Sequence, residues 1–306
     1  PLYLCERSEL KLVHRRNREA GMDFVRRHGH GVYAGSLEEL LGDEDIDAVY
    51  VASPHALHAE HSIAALEAGK HVLVEKPMAL SSRDCTRMIE TAAKCRRSLA
   101  VAYYRRGYPS TGRIRELISS GKLGKILTMS INCEFPTSHR LDLVHFLLGD
   151  IDALRMKAGE TEGYIFERKS GMIQVRTRGE YSPSDGTVVT LRDTWTETGM
   201  PEAVTIHGET GSIYLYDLKQ GYLTVSDEKD AGGSPEQAVE THEAPVHENA
   251  GGLPYTHWGL IENFVSHLID GTGLLCDGEE GRKSTVILDA LALDHGDGSW
   301  QDIDYR

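Results

Sequence analysis

The stretch IDAVYVASPHALHAEHSIAALEAGKHVLVEKP, residues 46–77, decides the fold. Its two apolar runs, 46–53 and 71–75, are nearly continuous and predict strands that are buried on both faces, as in a parallel sheet. The segment between them, 55–69, carries apolar residues at helical spacing and ends at Gly69, a residue type that commonly terminates helices. A strand, a helix and a second strand joined by short loops form the unit from which parallel sheets are built.

The same alternation continues on both sides of this stretch. Short strands are predicted at 10–14 and 99–104, and helices at 19–29, 36–43 and 81–95. The helix at 36–43 begins with a capping box, because its N-cap Ser36 is followed three residues later by Glu39. Strands that alternate with helices predict a doubly wound parallel sheet over residues 1–104.

The pattern changes after residue 104. A helix near 111–121 leads into strand-like segments separated by Gly, Asp and Ser turns, such as 203–208 and 212–218. Two amphipathic helices follow at 255–271 and 278–293, after a polar loop at 232–252. We therefore predict an α/β protein whose second domain, residues 105–306, is an α+β domain with a large open, mostly antiparallel sheet.

Composition limits the classes of partner. The 306 residues are 40% hydrophobic and 26% charged, which is typical of a soluble globular protein. The net charge of −14, from 33 basic and 47 acidic residues, disfavours non-specific binding to nucleic acid. No apolar stretch approaches the ~20 residues that span a membrane, so we expect no membrane partner.

The cysteines and the N-terminal residues indicate a compartment. The five cysteines are far apart, form no C-x-x-C pair and are expected to be small buried apolar residues: Cys5, Cys85, Cys95, Cys133 and Cys276. The first residues carry neither the basic nor the apolar segment of a signal peptide. We expect a reducing cytoplasm.

Polar residues follow two consecutive strands of the predicted sheet. Ser53-Pro54 ends the first strand, and Glu75-Lys76-Pro77 ends the second. Ligands of open α/β sheets bind beyond the carboxyl ends of the strands, so these residues are expected to line one crevice. Pro77 favours an extended backbone at Lys76 and so restricts where that side chain points. A solvated lysine at a strand end is the alternative, and the two polar strand ends together favour a functional role.

Three histidines, His55, His58 and His61, follow the first strand end at intervals of three residues. Only neighbouring pairs share a helix face, and no thiolate or carboxylate pattern completes a metal site, so we expect no metal. We expect His58 to face the crevice and the other two to be surface or packing residues.

These residues carry a resemblance to a known family. The S-P-x-x-x-H pattern at 53–58 and the E-K-P pattern at 75–77 resemble signatures of the Gfo/Idh/MocA oxidoreductases. The segment SHRLDLVHFLLGD, residues 138–150, is similar to the H-x-x-D-L-x-x-x-L-x-G helix of that family, and the likeness extends over nearly the whole chain. The resemblance implies an N-terminal Rossmann domain over 1–104 that binds NAD or NADP. It also implies a domain over 105–306 that contacts a small-molecule substrate and pairs subunits as a homodimer or homotetramer.

The resemblance also implies roles for individual residues. Lys76 matches the family lysine beside the nicotinamide and the substrate hydroxyl, and His139 matches an acid/base histidine. Seven residues of this chain match positions that lie beside the cofactor in the family: Ser53, Pro54, His58, Glu75, Lys76, Pro77 and Arg105. The chemistry is consistent, because oxidation of an alcohol by a nicotinamide needs a group that accepts the hydroxyl proton. Partial burial of a lysine lowers its pKa toward the range in which it can do so.

The chain departs from the family pattern in three places, and the third of them is that the segments 10–17 and 291–300 look short. The first strand and Gly-rich phosphate-binding turn of a Rossmann domain are not among the 306 residues. The family aspartate four residues before the histidine corresponds to Phe135, so the catalytic aspartate is not assigned. Two explanations are open: segments of a longer protein are omitted from this sequence, or the chain is a family member that has lost cofactor binding.

The first strand of the sequence bears on the choice of cofactor. An acidic residue at such a strand end binds the ribose hydroxyl of NAD, whereas arginine accommodates the extra phosphate of NADP. Arg15 and Arg16 stand there, which favours NADP.

We predict an NAD(P)-dependent oxidoreductase acting on a CH–OH group of a sugar, polyol or related metabolite. The alternatives are a non-catalytic dinucleotide or sugar sensor on the same scaffold and, less favoured, a reductase of C=N or C=C bonds.

Overall fold

The computed structural model describes most of the chain. The described residues are 5–132, 137–156, 165–167, 173–175, 179–183, 188–192, 203–218, 223–227, 256–293 and 301–306. Cys133, Phe135 and the predicted polar loop at 232–252 lie outside them.

The N-terminal region begins with a small parallel pair of strands. Its elements are β1 (Leu12–Val13), α1 (Arg18–His28), β2 (Val32–Tyr33) and α2 (Leu37–Gly42). β1 pairs with β2 in parallel. The Asn17 side chain caps α1 by accepting the Ala20 N–H at 2.9 Å, and Gly29 ends the helix with a positive φ of 67°. The predicted N-cap at Ser36 is confirmed, since its side chain accepts the Glu39 N–H, while Glu39 Oε2 accepts the Gly35 N–H.

A second parallel sheet carries the polar strand ends. It consists of β3 (Ala48–Val51), β4 (His71–Val74) and β5 (Leu99–Val101), with α3 (His58–Glu67) and α4 (Ser82–Cys95) as the crossovers. The strands are in parallel register, with Val51 opposite Val74. A single 3₁₀ turn, His55–Leu57, leads from the end of β3 into α3. The predicted alternation of strands and helices is confirmed.

The two faces of this sheet are covered by different parts of the chain. Val72 and Val74 face a core formed with α3 and α4, whereas Leu73 between them faces the opposite side. That opposite side packs against α7 (Trp258–Asp270), whose Leu260 and Phe264 are buried there. Both faces are therefore apolar, as the near-continuous hydrophobic strands predict.

A larger, mostly antiparallel sheet forms the second half of the fold. Its hydrogen-bonded order is β14 (Leu223–Asp227), β13 (Gly211–Leu215), β12 (Ala203–Gly208), β6 (Ile126–Asn132), β11 (Val188–Arg192), β10 (Gly179–Pro183), β7 (Ile151–Met156) and β15 (Gln301–Asp302). Only the β6–β11 pair is parallel among these ladders. A separate pair, β8 (Ile165–Glu167) and β9 (Ile173–Val175), is antiparallel.

Three helices cover this sheet: α5 (Pro109–Ser119), α6 (Thr137–Leu148) and α8 (Gly278–Leu293). α8 also reaches the parallel sheet, since the Val101 N–H donates to the Cys276 carbonyl at 3.0 Å just before that helix. A Cβ atom on Gly281 would lie 2.4 Å from a methyl carbon of Val101, so only glycine allows this approach.

The described cysteines fit their predicted role as packing residues. Cys5, Cys85 and Cys276 are buried free thiols, and Cys95 is half-buried. No helix within the described ranges is long and apolar enough to cross a membrane.

Candidate active site

The carboxyl end of β4 presents Glu75, Lys76 and Pro77. The Lys76–Pro77 peptide bond is cis. Lys76 is half-buried, and burial lowers the pKa of its ammonium group. The neighbouring Glu75 carboxylate opposes that shift, and the Arg105 guanidinium adds to it. The lysine therefore loses its proton more readily than an exposed lysine does.

Glu75 is held by three contacts that the sequence does not reveal. Its Oε1 accepts the Tyr50 hydroxyl at 2.5 Å and lies 3.3 Å from His257 Nε2, while Oε2 accepts the Lys76 N–H at 3.2 Å. Burial alone would raise the pKa of this carboxyl, but the contacts with His257 and Tyr50 outweigh burial and lower it to about 2. Glu75 is thus an anchored carboxylate beside Lys76.

His58, at the start of α3, bridges the two strand ends. Its Nδ1 lies 2.8 Å from the Pro77 carbonyl oxygen, and its Nε2 lies 2.9 Å from the Ser53 carbonyl oxygen. The residue is fully buried. Both ring nitrogens point at protein carbonyls, and the placement of His58 at the cofactor stays a prediction. A direct contact between those nitrogens and a cofactor would require the ring to give up one carbonyl.

The end of β3 leaves one polar atom unsatisfied. Ser53 Oγ is buried and has no hydrogen-bond partner in the described part of the chain, and Pro54 beside it is exposed. His55 is half-buried, with its ring centroid 5.2 Å from that of His58. Among the residues that the structure describes, no group of three or more His, Cys, Asp or Glu could hold a metal ion.

Arg105 and the neighbouring Tyr104 lie in the 3₁₀ turn Tyr104–Gly107, which follows β5. Arg105 is buried, with 1% of its surface exposed. Its Nη1 donates to the Tyr104 hydroxyl at 3.1 Å, and its guanidinium carbon lies 5.0 Å from the centre of the Tyr104 ring. The turn thus places a cation beside Lys76, within range to lower its pKa.

His139 lies near the start of α6 and is 1% exposed. Its ring packs edge-on against Tyr103 and Tyr104, at centroid distances of 5.7 and 4.9 Å. Neither ring nitrogen has a hydrogen-bond partner among the described residues. Burial, followed by the charges of Arg105 and Lys76, lowers the pKa of His139 well below its ordinary value. The ring is therefore neutral at pH 7 and keeps one nitrogen lone pair available.

His257, which precedes α7, completes this group and was not predicted. Its ring stacks on Tyr104 at a centroid distance of 4.2 Å while Nε2 approaches Glu75. Its charge also contributes to the lowered pKa of His139. A histidine in the sequence YTHWG, before an amphipathic helix, has no spacing that marks it as functional.

The aspartate of the H-x-x-D segment has a structural position. Asp142 is buried, and the Arg106 Nε donates to both of its carboxylate oxygens, at 2.9 and 3.1 Å. Arg106 also donates to the Leu275 carbonyl and contacts Glu280. Burial raises the pKa of Asp142 to about 6, although the guanidinium favours the charged form. This buried ion pair joins the 3₁₀ turn to α6 and α8.

Two further sets of side chains complete the description. Arg15 and Arg16 lie on the exposed loop between β1 and α1, at the carboxyl end of β1. A packing gap too narrow for a water molecule adjoins the site and is lined by two arginines, a histidine and four apolar residues: Arg105, Arg140, His139, Ile131, Leu143, Val204 and Leu218. His139 therefore lies between the ring cluster and this gap.

Comparison with known proteins places the fold in a family. Residues 2–103 match the family described as "Oxidoreductase family, NAD-binding Rossmann fold", GFO_IDH_MocA. The chain is 24% identical to oxidoreductase P35 of Formosa agariphila, over 94% of this chain and 92% of that protein. It is 26% identical to levoglucosan dehydrogenase of Pseudarthrobacter phenanthrenivorans, over 96% of this chain and 89% of that protein.

Residues 2–103 therefore match the Gfo/Idh/MocA oxidoreductase family, and the chain is similar to oxidoreductases along nearly its whole length. A solved structure supports the same fold: levoglucosan dehydrogenase in complex with NADH and levoglucosan, at a TM-score of 0.78 and 21% identity. The superposition covers 99% of this chain and 92% of that structure. The predicted α/β fold, with its Rossmann sheet and separate antiparallel sheet, is confirmed.

Proposed function

We propose that this chain transfers a hydride between a nicotinamide cofactor and a CH–OH carbon of a sugar, polyol or related metabolite. One observation carries the proposal. Lys76 and His139 come from different halves of the chain, both are near Arg105, and both have lowered pKa values. A proton-transfer site needs groups of this kind, positioned away from bulk water.

The described residues fit a nicotinamide dinucleotide in part. Ser53 Oγ and both ring nitrogens of His139 are buried without hydrogen-bond partners in the described ranges, and such atoms are costly unless a ligand satisfies them. We propose that Ser53, Pro54, Glu75, Lys76, Pro77 and Arg105 hold the cofactor, with His58 acting through the backbone that it contacts. When bound, the nicotinamide supplies the hydride acceptor or donor.

The chain supplies the proton chemistry. Neutral His139 can accept the hydrogen of a substrate hydroxyl through its free lone pair. Lys76, whose pKa is lowered by burial, can release or take up a proton near the same centre. The anchored Glu75 carboxylate keeps a negative charge beside the lysine and prevents a larger fall in its pKa. We propose that Lys76 and His139 are the proton-handling pair.

The choice between NAD and NADP rests on the β1–α1 loop. Arg15 and Arg16 are exposed there and can reach ligand phosphate without losing a buried partner. We propose a preference for NADP, because guanidinium groups bind phosphate with paired hydrogen bonds. Arg15→Ala combined with Arg16→Ala should then weaken NADP binding more than NAD binding. Equal weakening of both cofactors would contradict this preference.

Assembly and location are proposed on similar grounds. Leu127, near the start of β6, and Tyr216, directly after β13, are 45% and 62% exposed. Large exposed apolar residues on an open sheet favour pairing with a second copy of the chain, as a homodimer or homotetramer. Light scattering during size-exclusion chromatography tests the assembly. The free thiols favour a cytoplasmic location.

The function is tested by calorimetry with NAD and NADP on the complete protein, followed by hydride transfer assays against a panel of sugars and polyols. Binding of either cofactor with turnover of at least one alcohol substrate supports the enzyme. Cofactor binding with no turnover across the panel would instead favour the dinucleotide or sugar sensor. Neither relative reported above is named as a regulator.

A further inference from the structure

The His58 ring occupies a position between the two loops that form the crevice wall. β3 and β4 are hydrogen-bonded neighbours as far as Val51 and Val74, and their loops continue separately beyond that register. His58 spans the gap, with Nε2 at 2.9 Å from the Ser53 carbonyl and Nδ1 at 2.8 Å from the Pro77 carbonyl. One fully buried side chain thus joins the backbone of both loops.

The protonation state of the imidazole decides how many of the two carbonyls it can bond. A neutral ring carries one N–H and donates to one carbonyl, while the charged ring donates to both. Burial lowers the pKa of His58, and its carbonyl contacts oppose that shift. The charged or titratable groups near the ring are Glu75 after β4, His61 on α3 and His55 in the preceding turn.

We propose that His58 is a positioning residue, which fixes the Pro77 carbonyl against the Ser53 loop and so holds the Lys76–Pro77 peptide and the Lys76 side chain in the crevice. The inference rests on the role proposed above for Lys76. The carbonyl of Pro77 is one peptide away from Lys76, so a bond to that oxygen limits rotation of the segment that carries the lysine. Without the bond, the loop can move outward and expose the ammonium group to water.

The two contacts can be separated by substitution. The side-chain amide nitrogen of asparagine stands at the same distance along the chain as Nδ1, and that of glutamine corresponds to Nε2. His58→Asn can therefore keep the bond to Pro77, whereas His58→Gln can keep only the bond to Ser53. His58→Phe fills the space and keeps neither. The matched control is His61→Phe, because His61 is half-buried on the same helix, one turn further on.

The test measures the protonation of Lys76 without relying on turnover. The complete protein is acetylated with acetic anhydride over a range of pH, and mass spectrometry of its peptides follows Lys76, with exposed Lys122 as an internal standard. We expect the reactivity midpoint of Lys76 to lie below the ordinary lysine value and to move upward in His58→Phe and His58→Gln. His58→Asn and His61→Phe should keep the wild-type midpoint. Turnover should fall by ~10-fold in the two shifted variants, the equivalent of one lost hydrogen bond.

The outcomes distinguish the two proposals. Folded His58→Phe and His58→Gln variants with the wild-type Lys76 midpoint would show that His58 only fills space and would overturn the inference. If His58→Phe fails to fold, His58→Asn is compared with His58→Gln. Equal reactivity midpoints of Lys76 in these two variants would also overturn the inference. Wild-type turnover by Lys76→Ala would refute the proposed function alone if the Lys76 midpoint of the His58 variants, which keep Lys76, still shifts as expected.

Discussion

At the scale of single residues, Lys76 carries the clearest prediction. Lys76→Ala removes the ammonium group whose pKa is lowered by burial and Arg105 and to which we assign proton transfer in the proposed function. We expect turnover to fall by ~10² to 10⁴-fold, the usual contribution of a positioned acid or base, with an unchanged unfolding temperature. Steady-state kinetics and circular dichroism check both parts. Lys94→Ala is the matched control, because Lys94 is an exposed lysine on α4. Near-normal turnover by Lys76→Ala would refute the catalytic role.

Glu75 gives a second prediction, this time on stability. Glu75→Gln keeps the size of the side chain but removes the charge that His257 and Tyr50 stabilise. The folded pKa of about 2 lies below the ordinary 4.5, so the carboxylate stabilises the fold above pH 4.5 and that stability is lost as the pH falls toward 2. We expect the variant to be less stable at pH 7 by up to about 3 kcal/mol. Urea unfolding should show this difference narrow below pH 4.5, and a constant difference would contradict it.

The sequence reveals some residues of the site and conceals others for a physical reason. Lys76 and His139 stand in short motifs with polar residues at strand or helix ends, where a buried charge is unusual enough to be noticed. Tyr50 and His257 stand in an apolar strand and before an apolar helix, where a ring is ordinary packing material. Their polar atoms acquire a role only when the fold brings both to Glu75, so no local pattern marks them.

At the scale of elements, the approach of α8 to β5 can be tested with two glycines. Gly281→Ala would place a Cβ atom 2.4 Å from a Val101 methyl carbon and 2.8 Å from its Cβ. We expect a loss of ~1–3 kcal/mol in the free energy of unfolding, as for other overpacked contacts. Gly112→Ala on α5 is the control, since nothing lies within 4 Å of the added carbon. That variant should be neutral or gain up to ~1 kcal/mol from helix propensity. Denaturant titrations measure both free energies of unfolding, and equal changes in Gly281→Ala and Gly112→Ala would contradict the packing argument.

Hydrophobic periodicity predicts the long elements well and the short ones poorly. α3 and α4, of 10 and 14 residues, follow from apolar residues at helical spacing, and β4 follows from a continuous apolar run. β2 has only two residues, Val32 and Tyr33, and is defined by its pairing with β1, which local sequence does not encode. The contacts of His58 could not be predicted for the same reason, because a helical position gives no information on two carbonyls from different loops.

At the scale of the whole molecule, buried histidines predict sensitivity to acid. Burial lowers the pKa of His145 to about 4, below its ordinary 6.5, so the unfolded chain binds this proton more readily as the pH falls through 6.5. Stability from this group is complete above pH 6.5 and decreases down to pH 4. His145→Gln should reduce the loss of unfolding free energy between pH 7.5 and pH 5 by about 2 kcal/mol. Asp142 acts in the opposite direction over part of this range, and it does so equally in both proteins. If the free energy of unfolding of the wild-type protein and of His145→Gln changed by the same amount between pH 7.5 and pH 5, the prediction would be contradicted.

The division of the chain into 1–104 and 105–306 stays a prediction, and it describes the order of elements better than their packing. α7 and α8 follow the large sheet in sequence, yet both pack on the parallel sheet, and Ala100 pairs with Asp277 in an isolated bridge. The hydrophobic periodicity of a helix predicts that it has an apolar face, but it does not predict which surface of the protein that face packs against. That surface is decided by contacts between residues more than 150 positions apart.

The position of α7 has a consequence for synthesis of the protein in the cell. Leu73, Ala100 and Ala102 lie on a sheet face that, among the described residues, packs against α7, Leu274 and the segment around Cys5. During translation this apolar face stays open until residue 270 has left the ribosome. The nascent N-terminal half is therefore a surface for chaperones or for aggregation during that interval, and the wall that carries Lys76 is completed only when the last third of the chain arrives.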